Sequence, residues 1–162
     1  MNDELNDLYQ QVILDHNKNP RNFGKLDPHT HSADGHNPLC GDQIEVQLLI
    51  DGDIIKDVMF NGNGCAISKA SASIMTTLIK GKNLDEAKQY FDEFHDVITA
   101  DMDKEIDLDS MGKIAVFAGV REFPSRIKCA NLAWHTMNNA IHGKNETATT
   151  DDGEGGECQI NH

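Results

Sequence analysis

The chain has 162 residues, enough for one domain with a sizeable core and with no demand for a second. Its 14 Lys and Arg stand against 27 Asp and Glu, a net charge of −13 that argues against non-specific binding to nucleic acid or anionic membrane and leaves proteins and small molecules as partners. No stretch approaches the roughly 20 apolar residues that span a bilayer, and Met1-Asn2-Asp3-Glu4 lacks the basic start and apolar core of a signal peptide, so a cytoplasmic location is expected.

Leu5, Leu8, Tyr9, Val12 and Ile13 form the apolar stripe of a first helix, which Asn2 or Asp3 can cap and which must stop before Pro20. Between Pro20 and Leu39 the chain is polar, carries His29, His31 and His36, and is broken by Gly24, Pro28, Gly35 and Pro38; it reads as a loop with room for one short edge strand. From Gln43 to Ile50 the apolar Ile44, Val46, Leu48 and Ile50 alternate with Gln43, Glu45 and Gln47, the pattern of a half-buried strand. Asp51-Gly52-Asp53 is a hairpin turn signal, and Ile54 to Phe60 returns as an antiparallel partner.

Asn61-Gly62-Asn63-Gly64 then leads to Cys65 and a run of small residues from Ile67 to Ile79, which places a thiol at a helix start. Free backbone N–H groups and the helix dipole favour an anion there, so Cys65 should ionise more easily than a free thiol of pKa about 8.5. Ala66, Ala70, Ala72 and Ser73 are explained by close helix packing. Asn83 and Glu86 have the spacing of a capping box before Leu84, Ala87, Phe91, Phe94 and Ile98, a third helix; residues 83–110 hold ten acidic side chains against Lys88 and Lys104, an acidic outer face. A last helix starts at Pro124 and ends near Gly143, with Ile127, Ala130, Trp134, Met137 and Ile141 as its buried stripe and Cys129 at the stripe's border. Residues 144–162 shift to Thr, Gly, Asp and Glu and read as a disordered acidic tail in which Cys158 is a stray exposed thiol.

Three cysteines and one aspartate carry the chemistry. Alternate residues of an extended segment share a face, so Cys40 and Asp42 point the same way, toward the covered side of the following strand. With Cys65 at a helix start and Cys129 on a helix flank, folding can bring together three sulfurs and an oxygen, a set that tetrahedral zinc accepts. The lone oxygen ligand suggests an exchangeable site rather than a purely structural one. His36, four residues before Cys40, is the alternative to Asp42 as fourth ligand, whereas His135 and His142 lie about 240° and 220° around the last helix from Cys129 and read as surface or second-layer residues. In a reducing compartment the cysteines read as metal ligands or nucleophiles rather than disulfides.

Leu39-Cys40-Gly41-Asp42, Gly64-Cys65-Ala66-Ile67-Ser68 and Arg126-Ile127-Lys128-Cys129-Ala130-Asn131-Leu132-Ala133-Trp134 together resemble the SufU branch of the IscU-like iron–sulfur assembly proteins, over residues 5 to about 143. Lys128 stands where the scaffold branch has a His, Phe123-Pro124-Ser125-Arg126 replaces that branch's Leu-Pro-Pro-Val-Lys segment, and the acidic stretch around 83–110 looks like the insertion that separates the two branches. The resemblance implies an α+β, SufE/NifU-like two-layer fold over residues 1–143, a three-stranded antiparallel sheet packed against several helices. It implies zinc on Cys40, Asp42, Cys65 and Cys129, or iron or a transient iron–sulfur cluster if the chain is a scaffold. The implied activity is a sulfurtransferase that accepts persulfide sulfur from a SufS-type cysteine desulfurase and hands it to downstream iron–sulfur assembly proteins, the pyridoxal phosphate belonging to the desulfurase. Following that pattern, a partner histidine takes over one zinc position and frees Cys40 as the attacking thiolate, while Arg126, one helical turn before Cys129, steadies that thiolate or Asp42.

Overall fold

The alternation around Ile44, Val46 and Leu48 builds the central strand, β2 (Asp42–Asp51), whose inward side chains are fully covered. The chain turns through Gly52, at φ 63°, and returns antiparallel as β3 (Ile54–Asn63), with a bulge after Leu49. The computed structural model describes residues 3–37, 41–99, 112–122, 124–142 and 148–149. β3 runs three residues past Phe60, the expected end, so Asn61-Gly62-Asn63, expected as a turn, is strand, and Gly64 alone separates it from Cys65.

The segment read as a loop contains a seven-residue strand, β1 (His31–Asn37), paired antiparallel with β2 along its whole length. Its buried positions are Ala33, Gly35 and Asn37, two small residues and an amide, so the alternation carries no apolar signal. Ala148 and Thr149, within the segment read as a tail, form β4 and pair parallel with Gly35 and His36, giving the order β3-β2-β1-β4. The rest of that segment, with Cys158, lies outside the described residues.

The helices are α1 (Asp3–Lys18), α2 (Ala66–Ile79), α3 (Leu84–Thr99) and α4 (Pro124–Ile141), with a 3-10 segment, Gly112–Glu122, before α4. The capping box of α3 forms: Glu86 N–H donates to Asn83 Oδ1 at 2.8 Å and Asn83 N–H to Glu86 Oε1 at 3.2 Å. Asp85, Glu86, Asp92 and Asp96 are exposed on α3, while Phe94 is buried and stacks on Trp134 of α4 at 4.6 Å and meets Phe117 of the 3-10 segment edge-on at 5.1 Å.

α4 corrects the expectation of a one-sided stripe. Every residue from Lys128 to Met137 is buried, because the helix lies between the sheet and helices α2 and α3. His135, expected at or near the surface, is covered by α3 and meets the Phe91 ring edge-on at 5.2 Å. The close approach of α4 to β1 depends on Gly35, where a Cβ would run into Thr136 Oγ1 and lie 3.0 Å from Leu132 Cδ1.

On the same cross-strand row, beyond Ile44, Gly62 of β3 has φ 127° and a Cβ there would strike the Gln43 carbonyl of β2. An alanine is therefore strained in conformation and in contact, and Gly62→Ala should lower stability by about 1–3 kcal/mol. Urea unfolding of the metal-free chain measures this; an unchanged midpoint would show that the hairpin end adapts freely.

Candidate metal centre

The site sits where the paired ends of β1 and β2 meet the first turn of α2 and the N-terminal half of α4. Asp42 opens β2 with the parity of Ile44, so its side chain faces inward and is buried. Cys65 is the N-cap of α2: its backbone is extended, and Sγ accepts the Ser68 N–H at 3.5 Å, the bond an oxygen makes in most caps. Cys129, buried on α4, meets both from above. Neither Cys65 nor Cys129 is in a disulfide.

The ligand atoms of Asp42, Cys65 and Cys129 all lie within 4.8 Å of one another. Bond lengths of about 2.0–2.3 Å in a tetrahedral zinc site put neighbouring ligand atoms roughly 3.5–3.8 Å apart. Cys65 Sγ and Asp42 Oδ2 are already 3.8 Å apart. The three donors thus fit such an ion with adjustments of about an ångström or less.

Cys40 lies outside the described residues, two positions before Asp42. Arg126 is exposed in the first turn of α4. His36, the alternative fourth ligand, sits on β1 opposite Gln43 and points to the other face of the sheet, lining an open hollow of about 460 Å³ with Asp34, Glu45 and Asn61. Among the described residues the cluster therefore takes Asp42 and leaves His36 out.

Two site residues went unnoticed in the sequence. Ser68 Oγ donates to Asp42 Oδ2 at 2.6 Å and lies 3.2 Å from the Cys129 carbonyl oxygen. Asn37 Nδ2 reaches Cys129 Sγ at 3.7 Å from the end of β1. The third position of a helix capped by Cys65 was the available signal for Ser68; Asn37 had none, since β1 itself was hidden.

The surroundings lower the Cys65 pKa from 9.0 to about 6. A hydrogen bond from Cys129 is the largest cause, aided by the backbone N–H and hydroxyl of Ser68; burial and the Asp42 charge oppose it. A thiol whose pKa falls on folding adds stability that is fully present above about pH 9 and is lost as pH drops through about 6. In the metal-free protein, the alkylation rate of Cys65 followed by peptide mapping should be half-maximal near pH 6. A midpoint at the ordinary thiol value of about 8.5 would refute the stabilised thiolate.

Two cysteines and an aspartate converging at one end of the sheet of a two-layer α+β domain make this a small α+β protein with a candidate metal site of thiol and carboxylate donors. The chain belongs to the NifU-like N-terminal domain family, which matches residues 8–130, within the SufU/IscU type. It is 45% identical to the zinc-dependent sulfurtransferase SufU of Bacillus subtilis strain 168, across 86% of this chain and 93% of that one. It is 40% identical to the iron–sulfur cluster assembly scaffold protein IscU of Streptococcus pyogenes serotype M1, across 85% of each. The crystal structure of a candidate iron–sulfur cluster assembly scaffold protein for the SUF system from Fervidobacterium islandicum AW-1 superposes with a TM-score of 0.73 at 36% identity, over 81% of this chain and 94% of that one. No helix among the described residues is long and apolar enough to cross a membrane.

Proposed function

We propose that this protein is a zinc-dependent sulfurtransferase that accepts persulfide sulfur from a SufS-type cysteine desulfurase and passes it on for iron–sulfur cluster assembly. The observation that carries the reading is the convergence of Asp42, Cys65 and Cys129 within 4.8 Å, with a further cysteine two residues before Asp42. Cys40, Asp42, Cys65 and Cys129 are the ligand set. Zinc, when bound, keeps such cysteines as thiolates at neutral pH.

The chain's residues divide the work. Asp42, Cys65 and Cys129 come from β2, α2 and α4, elements tied together by the core, and keep their places. Cys40 precedes β2, next to Gly41 at φ 74°, and is the ligand to be freed by a partner side chain. Its thiolate attacks the terminal sulfur of the desulfurase persulfide; a new S–S bond forms on Cys40, the old one breaks, and the desulfurase cysteine leaves as thiolate. Arg126, exposed one turn before Cys129, is the cation that steadies the freed thiolate in this reading.

The second reading is a scaffold for a transient iron–sulfur cluster on the same ligands, favoured by the 40% identity to a protein named as such. Cysteine turnover by the cognate desulfurase, with and without the zinc-loaded protein, separates the two. Strong stimulation that disappears with Cys40→Ala supports sulfur acceptance; indifference to both proteins moves the assignment to the scaffold. Cys40→Ala should also weaken zinc binding less than the Asp42→Ala/Cys65→Ala pair.

A further inference from the structure

We infer that Ser68 is the positioning residue of the metal centre, acting through Asp42, an inference that rests on Asp42 being a ligand. The hydroxyl is fully buried and touches all three converging elements: Asp42 Oδ2 of β2 at 2.6 Å, Cys65 Sγ at the cap of α2 at 3.6 Å, and the Cys129 carbonyl of α4 at 3.2 Å.

A hydroxyl has one proton to give. Three acceptors surround it, and the carboxylate at 2.6 Å outweighs both the neutral carbonyl at 3.2 Å and the Cys65 sulfur at 3.6 Å, because the bond to a charged oxygen is the shorter and stronger one. The Cys65 N–H meanwhile donates to Asp42 Oδ1 at 2.8 Å. Asp42 is thus held at both oxygens, one by the backbone of α2 and one by the Ser68 side chain, so its carboxylate plane is fixed. Each oxygen retains a lone pair, and Oδ2 lies 3.8 Å from Cys65 Sγ, on the side where a shared ion would sit.

A buried carboxylate fixed by the Cys65 N–H alone can swing about that single bond. Ser68 removes that freedom, and its backbone N–H orients Cys65 at the same time. One residue therefore aligns the oxygen donor and one sulfur donor before any ion arrives, and its hydroxyl contributes specifically to the oxygen. Outer partners that orient metal ligands are worth about 10–100-fold in affinity when removed.

The test is zinc affinity, measured by competition with a chromophoric chelator, in a double-mutant cycle of Ser68→Ala and Asp42→Ala in the full chain. Ser68→Ala should raise the zinc Kd by about 10–100-fold in the otherwise intact protein, and have almost no effect once Asp42→Ala is present. An equal loss in both backgrounds overturns the inference, since Ser68 would then act without Asp42. Zinc affinity unchanged by Asp42→Ala alone overturns the ligand assignment instead. Ser68→Thr keeps the hydroxyl and should hold the Kd near that of the parent even if the extra methyl lowers the unfolding midpoint; a loss as large as that of Ser68→Ala would show the role to be packing alone.

Discussion

The structure around the candidate centre depends on one buried carboxylate. Asp42 has almost no contact with water, and a charge in that position is tolerated only when it is paired and hydrogen-bonded. Here the partners are the first amide of a helix and a serine hydroxyl on the same helix, so the negative end of β2 and the positive end of α2 hold each other in place. Everything nearby follows: β3 must run to Asn63 so that the one-residue link at Gly64 brings Cys65 to Asp42, and α4 must lie close enough for Cys129 to cover both.

The same geometry suits sulfur chemistry. Cys65 takes the place that an oxygen usually has in a helix cap, so the N–H groups that end a helix are turned on a sulfur anion. A thiolate is favoured before any ion is bound. The three described donors are unequal: two sulfurs on helices, and one oxygen fixed by hydrogen bonds.

Much of this was legible in the sequence because it rests on local rules. The parity of Asp42 with Ile44, Val46 and Leu48 shows which face it joins, and the small residues after Gly64-Cys65 announce a helix start. The capping box at Asn83 and Glu86 is a purely local pattern and appears as expected. What escaped has physical causes. β1 buries Ala33, Gly35 and Asn37, which have little apolar surface to display as periodicity. Ser68 lies in a run of alanines and serines in which packing explains each residue equally well. α4 is covered on nearly all sides, so its polar positions, His135 among them, look like an outer face until the sheet and α3 are in place. The long 3-10 segment has too short an apolar run, Ile114 to Ala118, for either helix or strand spacing to show.

The contacts around the site also join distant parts of the chain: Asn37 and Cys129 are 92 residues apart, and Ser68 and Cys129 are 61 apart. Long loops close slowly, and their contacts form late in folding. The β2–β3 hairpin and α2 precede α4 in the chain, so the Asp42–Cys65 contact needs no part of α4, whereas Cys129 joins it only when that helix docks. Until it docks, the thiols are separate groups with no common ion to share. An intact centre is thereby a report that the whole chain, from β1 to α4, has found its topology.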